Sequence, residues 1–366
     1  MIAVIGLGAM GLGIAQVFAQ SGASVRATDQ SPEARASAPS RLRAALEPRV
    51  AKGAMTAEAM EATLSRLTVV DSLEDLAPAD LVIEAVAERL AVKQAVFATL
   101  EPLLAANAVL ATNTSSLSVG AIAQGLTRPG QVLGLHFFNP APVMKLVELI
   151  AHPGTSPEAL AQARALTEAA GKVVISCADR PGFIVNRCAR PYYGEALALV
   201  EEGRSAPEID AAMMAHGYKL GPFALIDLIG ADINLAATEG LSAAMGQHPR
   251  YHVFQALRAQ VASGKLGRKT GSGFISSPAA APPDADAIAL RIEATLVNEA
   301  AWVLSEGGVT AGDIDTAMTL GLNFPRGPFA ALERHGRDAI RATLAALEAR
   351  APLHLKTRYM PAPILA

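Results

Sequence analysis

Short apolar runs alternate with longer amphipathic stretches over the first 150 residues of the chain. Apolar runs of four to six residues bounded by turn-forming residues are typical of buried β-strands. Six such runs are predicted as strands: Ile2–Ile5, Ser24–Thr28, Leu67–Val70, Leu81–Glu84, Ala108–Thr112 and Val132–Phe137. Their alternation with helical stretches predicts a mostly parallel sheet with helices on both faces.

Residues 32–66 interrupt this alternation. They carry a charged, helical pattern without a strand signal, and they predict a helical arm added to the sheet because the stretch is longer than one crossover helix. Met144–Ile150 and Lys172–Cys177 predict two further strands, which flank a helix from about Pro157 to Ala170. Together these elements predict a first domain over residues 1–178.

The pattern changes after Asp179. The segment DRPGFIVNRCARPYYGEALALVEEG predicts a turn followed by one long amphipathic helix, and helical stretches continue to about Gly264. Ser276–Ala287 is rich in proline and alanine and has no periodicity, which is typical of a domain boundary. The helical region is therefore predicted to form two domains, over residues 179–276 and 288–366.

The two helical segments resemble each other in sequence. The stretch EALALVEEGRSAPEIDAAMMAHGYKLGPFALID has a counterpart in EAAWVLSEGGVTAGDIDTAMTLGLNFPRGPFAAL. Three motifs align in order: Glu195 with Glu299, Asp210 with Asp315, and Gly221-Pro222-Phe223 with Gly327-Pro328-Phe329. Chance similarity between alanine-rich helices is the alternative, but the shared order favours duplication of one small helical domain.

Hydrophobic residues make up 51% of the chain and the mean hydropathy is +0.30, which raises the question of a membrane segment. The first 25 residues carry no charged side chain, so a signal peptide or a membrane span has to be considered there. A signal peptide needs a basic start, whereas Arg26 is the first charge. A span would not usually hold five glycines together with Gln16, Gln20 and Ser21. We therefore predict no membrane segment.

The formal net charge of −3, without basic runs, argues against nucleic acid or an anionic membrane as a partner. Cys177 and Cys188 are too few for a disulfide framework and suit a reducing cytoplasm, where we expect the protein. Both are predicted to be small buried packing residues. The histidines other than His136 lack the spacing of metal ligands, so no metal site is predicted.

Gly6, Gly8 and Gly11 follow the first predicted strand and open the first predicted helix. In such a turn the first glycine allows the tight bend, the second lets the backbone approach a pyrophosphate, and the third lets helix and strand pack closely. Asp29 ends the second strand, where a carboxylate accepts hydrogen bonds from a ribose diol and repels a 2′-phosphate. The pattern predicts NAD rather than NADP; the alternatives are a similar fold that binds flavin or nothing. The expected fold is an α/β Rossmann-type NAD-binding domain followed by two tandem all-α helical domains.

The chemistry is expected at later strand ends, because open α/β sheets bind ligands at the carboxyl ends of their strands. His136 lies near the end of a predicted strand, and Glu148 lies on the next one. A histidine with a nearby carboxylate is a general-base arrangement, since the carboxylate orients the imidazole and stabilises its charged form. The alternatives are a core histidine after a buried strand and a glutamate on a solvated strand face.

Six stretches resemble the 3-hydroxyacyl-CoA dehydrogenase family in order and spacing from Met1 to about Gly273. They are GLGAMG, AERLAVK, NTSSL, HFFNPAPVMKLVE, PGFIVNR and GRKTGSGF. With its tandem helical copy, the chain resembles the long form of this family. It is similar to the 3-hydroxyadipyl-CoA dehydrogenases of phenylacetate catabolism in RPYYGEA and DLIGADIN.

The resemblance implies reversible, NAD-dependent oxidation of an (S)-3-hydroxyacyl-CoA to the 3-oxoacyl-CoA, in the catabolism of fatty acids or aromatic acids. His136 would be the base, and Glu148 would hold its tautomer. Ser115 and Asn186 would hydrogen-bond the substrate oxygens, and Asn139 would also contact substrate. Residues expected at the cofactor are Gly6, Gly8, Ala9, Met10, Gly11, Asp29, Glu88, Lys93, Asn113 and Lys269. Lys52 on the arm is the expected contact to CoA, with a plain surface lysine as the alternative.

Three alternatives stay open at this stage. The enzyme could be specific for 3-hydroxyadipyl-CoA or 3-hydroxybutyryl-CoA, it could act on free hydroxyacids, or it could be a non-catalytic, crystallin-like dinucleotide-binding protein. The second helical copy has Leu290 where the first has Asn186, so no second active site is expected. We expect the second copy to pack on the first as an intramolecular pseudo-dimer in a monomer, with a homodimer as the alternative.

Overall fold

The computed structural model describes the chain from Met1 to Leu365 and divides it into two compact units. The first unit comprises Met1–Arg180, and the second runs from Pro181 to the end of the chain. The two predicted domain boundaries, at residue 178 and at residues 276–288, relate differently to this division. The first lies close to the division between the units, and the second lies within the second unit.

The first unit is built on a sheet to which the described residues contribute eight strands, ordered β3-β2-β1-β4-β5-β6-β7-β8. The strands are β1 (Ile2–Ile5), β2 (Val25–Thr28), β3 (Leu67–Val69), β4 (Leu81–Glu84), β5 (Val109–Thr112), β6 (Val132–Phe137), β7 (Leu146–Ala151) and β8 (Val173–Ala178). The first six are parallel, β7 runs antiparallel to β6, and β8 is parallel to β7. The predicted parallel sheet is confirmed.

Six helices accompany this sheet in the described part of the unit. They are α1 (Ala9–Gln20), α2 (Pro32–Ala51), α3 (Ala57–Ser65), α4 (Leu90–Leu100), α5 (Val119–Ala123) and α6 (Pro157–Ala169). The arm predicted over residues 32–66 is the pair α2 and α3. Each begins at a hydroxyl cap, since Ser31 Oγ accepts from Ala34 N and Thr56 Oγ1 accepts from Ala59 N. The central strands β1, β4 and β5 are buried along their whole length, which places the core on both faces of the sheet.

The second unit is helical. Its described helices are α7 (Val185–Cys188), α8 (Arg190–Glu201), α9 (Ala206–Ala215), α10 (Pro222–Ile229), α11 (Ala231–Ala244), α12 (Gln255–Ala262), α13 (Ala285–Ser305), α14 (Ala311–Leu322), α15 (Pro328–His335) and α16 (Arg337–Arg350). Between Met1 and Leu365, no helix combines the length and the apolar character that a membrane crossing needs.

The prediction of one long helix after Asp179 is wrong, because the structure interrupts it at Ala189 between α7 and α8. Pro191 explains the break: it has no N–H to donate, and its ring clashes with the carbonyl four residues earlier in a continuous helix. The second copy has Thr295 at this position, and its helix α13 runs unbroken for 21 residues.

The two copies repeat the same local structure. Asp210 accepts hydrogen bonds from the backbone N–H groups of Phe223 and Ala224 at the start of α10, at 2.9 and 2.7 Å. Asp315 accepts the corresponding bonds from Phe329 and Ala330 at the start of α15, at 2.8 and 2.9 Å. The glycine before each helix is required, because a Cβ at Gly221 or Gly327 would lie within 2.3 Å of the capping carboxylate's side chain. A shared cap that depends on a glycine supports the duplication.

Reciprocal ion pairs join the two copies inside the second unit. They are Arg187 with Glu299 and Glu306, and Arg291 with Glu195 and Glu202. Each arginine Nε lies 2.8 Å from an Oε1 atom of a fully buried glutamate on the other copy. The partners occupy equivalent positions in the two copies, so the contact is self-complementary in the way that a two-fold interface is.

Candidate active site

The turn between β1 and α1 has the three glycine environments that a dinucleotide needs. Gly6 has φ +93°, and a Cβ there would lie 2.5 Å from the Ala85 carbonyl oxygen. A Cβ at Gly11 would lie 1.7 Å from the Gly6 carbonyl oxygen. By contrast, nothing lies within 4 Å of the Cβ position at Gly8, where a pyrophosphate would approach. Ala9 and Met10 follow as the first residues of α1, so their N–H groups belong to its amino-terminal turn.

Asp29 lies directly after β2 and shapes this turn. Its Oδ2 accepts a hydrogen bond from Leu7 N at 2.7 Å, and its Oδ1 accepts one from Ser31 N at 2.9 Å. Each carboxylate oxygen has further acceptor capacity, so both can also receive a ribose hydroxyl. The glycine cradle and this carboxylate together fit the adenosine and pyrophosphate parts of NAD.

His136 and Glu148 are brought together by the pairing of β6 with β7. They are opposite each other in the antiparallel register, and His136 Nδ1 lies 2.7 Å from Glu148 Oε2. Glu148 is fully buried, while the His136 ring packs against that of Phe138 with centroids 4.5 Å apart. An imidazole held at Nδ1 by a carboxylate presents Nε2 as its basic nitrogen.

A buried ionic network lies at the ends of β4 and β5. Lys93 is 1% exposed, and its Nζ lies 2.7 Å from Glu84 Oε1 and 3.2 Å from Glu88 Oε2. Glu84 is fully buried and also accepts hydrogen bonds from Val86 N and Thr112 Oγ1. Lys93, which was expected to line the cofactor, is thus occupied in a network that fixes two strand ends.

Glu88 carries this network into the loop after β5. Its Oε1 accepts hydrogen bonds from Thr114 Oγ1 at 2.7 Å and from Ser115 N at 2.8 Å. Burial favours the protonated carboxyl, but these hydrogen bonds and the charge of Lys93 outweigh it, and the pKa of Glu88 lies below its ordinary value. The ionised carboxylate therefore holds the loop on which Ser115 stands.

Two asparagines complete the description of the first unit. The Asn113 side chain accepts a hydrogen bond from Phe137 N at 2.8 Å and so ties the end of β5 to the end of β6, beside His136. Asn139 is exposed just after β6. Ser115, Asn113 and Asn139 thus follow two adjacent strands at their carboxyl ends, where ligands bind in sheets of this type.

The remaining predicted site residues, Asn186, Lys269 and Lys52, belong to other parts of the chain than these strand ends. Asn186 and Lys269 belong to the second unit, where Lys269 Nζ pairs with Asp232. Lys52 caps the end of α2 and is exposed. Glu84 was missed by sequence reasoning, although a carboxylate that ends the apolar run LVIE is an available signal for a buried ionic group.

A cradle for a dinucleotide in the same sheet as a carboxylate-held histidine defines the class of protein, a dehydrogenase that uses NAD. Comparison with known protein families supports this class. The model described as "3-hydroxyacyl-CoA dehydrogenase, NAD binding domain" matches residues 1–180, and "3-hydroxyacyl-CoA dehydrogenase, C-terminal domain" matches residues 182–277 and again 288–366. The chain belongs to the 3-hydroxyacyl-CoA dehydrogenase family, whose members are NAD-dependent oxidoreductases.

Curated relatives carry matching names. The chain is 48% identical over 274 residues to the 3-hydroxyadipyl-CoA dehydrogenase of Escherichia coli, a match that covers 74% of this chain and 58% of that protein. It is 41% identical to a probable 3-hydroxybutyryl-CoA dehydrogenase of Bacillus subtilis, covering 75% of this chain and 96% of the relative. The chain thus spans somewhat more than half the length of the first of these relatives and nearly all of the second.

Solved structures extend the likeness to the whole chain. The crystal structure of 3-hydroxybutyryl-CoA dehydrogenase from Escherichia coli superposes with a TM-score of 0.93 at 34% identity, covering 100% of this chain and 97% of that one. The (S)-3-hydroxybutyryl-CoA dehydrogenase of Ralstonia eutropha gives a TM-score of 0.72 at 37% identity and covers 75% of this chain and 97% of its own. The first of these similarities includes the second helical copy.

Proposed function

We propose that this chain catalyses the NAD-dependent oxidation of an (S)-3-hydroxyacyl-CoA to the corresponding 3-oxoacyl-CoA. The observation that carries the proposal is the His136–Glu148 pair, buried in the sheet that also carries the dinucleotide cradle. NAD, when bound, accepts the hydride from C3 of the substrate. The reaction is reversible, and its direction follows the supply of substrate and oxidised cofactor.

Each site residue has one task in this proposal. His136 accepts the proton of the substrate's 3-hydroxyl group at its Nε2 atom, and Glu148 stabilises the imidazolium that forms. Ser115 and Asn186 donate hydrogen bonds to the substrate oxygens, which stabilises charge that develops there. Asn139 contacts the substrate. Glu88, Asn113 and Lys269 line the cofactor, and Lys93 serves the cofactor site by holding Glu88. Lys52 on the arm contacts the CoA moiety.

The test is the His136→Gln variant, assayed by NADH formation from 3-hydroxybutyryl-CoA. We expect turnover to fall by about 10²- to 10⁴-fold, the usual contribution of a general base. His354→Gln is the matched control, because His354 is exposed near the end of the chain. If His136→Gln retains nearly full turnover, His136 is not the base. If the wild-type chain oxidises no 3-hydroxyacyl-CoA, the proposed activity itself is wrong.

The second helical copy is proposed to replace a partner subunit. The reciprocal ion pairs of Arg187 and Arg291 support this, because they occupy equivalent positions of the two copies in a single chain. Light scattering on the full chain should then give the mass of one chain, 37.8 kDa. A mass of twice that value at micromolar concentration would contradict the idea.

We also propose domain limits at residues 1–178, 179–276 and 288–366. We propose a cytoplasmic location as well, which cell fractionation can test.

A further inference from the structure

Arg190 is a buried cation without an acidic partner. Only 8% of the residue is exposed, and among residues 1–365 no carboxylate lies within ion-pair distance of it. Its Nε donates to the Asn186 carbonyl oxygen and its Nη1 donates to Thr238 Oγ1, both at 3.0 Å. The other buried arginines of the second unit are all paired: Arg187 with Glu299, and Arg291 and Arg358 with Glu195. Burying an unpaired charge is costly, so a partner for Arg190 is expected.

Asn234, on the helix that contacts Arg190, has a buried side-chain amide without a hydrogen-bond partner among the described residues. It is 2% exposed, and within the described chain neither its amide oxygen nor its amide nitrogen has a hydrogen-bond partner. Native proteins satisfy the large majority of such groups. Asn234 precedes Thr238 by one turn of α11, and Thr238 Oγ1 donates to the Asn234 carbonyl oxygen. The orphan amide therefore lies on the helix face that contacts Arg190.

The charge around Arg190 favours an anion. The residue lines a small enclosed cavity of about 10 Å³, room for one water-sized atom such as a carboxylate oxygen. Arg250 and Arg358 line the same cavity. Each of these two is already balanced by a buried glutamate, whereas in the described part of the chain Arg190 has no carboxylate and only the Tyr193 ring, 4.9 Å away, to stabilise its charge.

The packing of the fold does not demand this arginine. The second helical copy has Ala294 in the equivalent position, fully buried in the unbroken helix α13. Both copies keep the arginine that forms the reciprocal ion pairs, Arg187 and Arg291, so only the extra arginine differs. Asn186, proposed to bind the substrate oxygens, is likewise present in the first copy and replaced by Leu290 in the second. Arg190 and Asn186 therefore both occur in the first copy and are both replaced by apolar residues in the second.

We propose that Arg190, held in place by Thr238 and assisted by the Asn234 amide, binds the terminal carboxylate of a dicarboxylic acyl-CoA substrate. The inference rests on the proposed function, because it takes Asn186 as the group that holds the reacting end of the chain. Arg190 Nε lies 3.0 Å from the Asn186 carbonyl oxygen, so the guanidinium lies beside the residue that holds the reacting end. In a six-carbon diacid the far carboxyl carbon lies three carbon–carbon bonds beyond C3, a reach of up to about 4 Å in the extended chain, to which the carboxylate oxygens add. A chain held at Asn186 can therefore reach Arg190.

Binding of two non-reactive ligands tests this without turnover. Calorimetry would compare adipyl-CoA with hexanoyl-CoA, which has the same chain length and no terminal carboxylate. We expect the wild-type chain to bind adipyl-CoA about 10- to 100-fold more tightly, the range of a charge-assisted hydrogen-bond pair. Arg190→Met should abolish this preference and leave hexanoyl-CoA affinity within about threefold, whereas Arg190→Lys should retain part of it.

A second variant keeps the test decisive if Arg190→Met folds poorly. Asn234→Leu removes an amide that has no partner, so it should not lower the melting temperature, yet it should weaken adipyl-CoA binding. Asn298→Leu is its control: the Asn298 side chain bonds Met360 O and Ala362 N, so this change should lower stability without altering the ligand preference. Arg350→Met controls for loss of an exposed arginine.

Kinetics separate this inference from the proposed activity. Comparing kcat/KM for 3-hydroxyadipyl-CoA and 3-hydroxyhexanoyl-CoA should reproduce the binding preference and its loss in Arg190→Met. Activity on both substrates without a preference overturns the carboxylate subsite and leaves the dehydrogenase assignment standing. No activity with retained adipyl-CoA preference overturns only the assignment. If chloride or acetate alone stabilises the wild-type chain and adipyl-CoA has no advantage, the site holds a small free anion and the inference is wrong.

Discussion

Glu148 lies directly opposite His136 across the antiparallel pair of β6 and β7, with Oε2 2.7 Å from Nδ1. The contact follows from the reversal of strand direction at β7, because a parallel strand would have needed a long crossover and a different register. Both residues are buried, so the hydrogen bond is shielded from water and fixes the ring orientation.

Glu148→Gln should lower kcat by about 10²- to 10⁴-fold with little change in KM, because an amide cannot stabilise the imidazolium that forms when His136 takes a proton. The measurement is steady-state NADH formation. Glu168→Gln is a suitable control, since Glu168 forms only an exposed pair with Arg164. A Glu148→Gln enzyme with normal kcat would show that the carboxylate is a packing residue.

Gly8→Ala should fold normally and weaken NAD binding by about tenfold or more, because its methyl group would enter open space that the pyrophosphate needs. Gly11→Ala should instead fail to fold properly, since its Cβ would collide with the Gly6 carbonyl. Thermal unfolding and calorimetric titration with NAD distinguish the two effects. Gly240→Ala is the control: Gly240 lies inside α11, its added methyl group would meet no neighbouring side chain within 4 Å, and NAD affinity should be unchanged. Unaltered NAD affinity of Gly8→Ala would place the pyrophosphate elsewhere.

Arg187→Met should lower the free energy of unfolding by about 3–5 kcal/mol, because it breaks a buried ion pair and removes one of the cations that balance Glu299. Burial acts against the charged guanidinium, but the hydrogen bonds that it donates to Glu306 and the charge of Glu299 raise the pKa of Arg187 above its ordinary value. Urea unfolding measures the change. The exposed pair of Arg43 with Glu61 provides the control, and Arg43→Met should have little effect. Equal effects of the two substitutions would argue against a tight contact between the copies.

Asp210 predicts a specific pH dependence of stability. Burial raises its pKa to about 6 from 3.8, although two backbone hydrogen bonds oppose this shift. The folded state therefore holds the proton more tightly than the unfolded state, and this group's stabilising contribution is full below about pH 4 and is lost as the pH rises to about 6. The loss amounts to about 3 kcal/mol.

Asp210→Asn removes this titration, so the unfolding free energy of the wild-type chain minus that of the variant should fall between pH 4 and pH 6. Urea unfolding at several pH values measures the difference. Asp315→Asn is the internal comparison, because Asp315 caps α15 in the same way and is also shifted upward by burial. A difference between wild type and Asp210→Asn that stays constant with pH would contradict the shift.

Local sequence patterns were sufficient for the elements that flank the site. The runs Ile2–Ile5, Leu81–Glu84 and Val132–Phe137 are strands over the predicted residues, because apolar runs between turn residues have few other ways to bury themselves. The glycine turn was predictable for a similar reason: Gly6 has a positive φ, and a Cβ at Gly11 would collide with the Gly6 carbonyl oxygen. The break at Ala189 was missed because the amphipathic pattern around Pro191 continues through it.

By itself the sequence determined the sheet, the arm, the dinucleotide turn and the repetition of the helical copy, since each depends on residues close together in the chain. Tertiary structure alone decided which distant side chains meet. Arg187 and Glu299 are 112 positions apart, and Thr112 meets Glu84 across 28 positions because β5 pairs with β4. The isolated charge of Arg190 became visible only when its neighbours were in place, because the absence of a partner is a property of packing and not of sequence spacing.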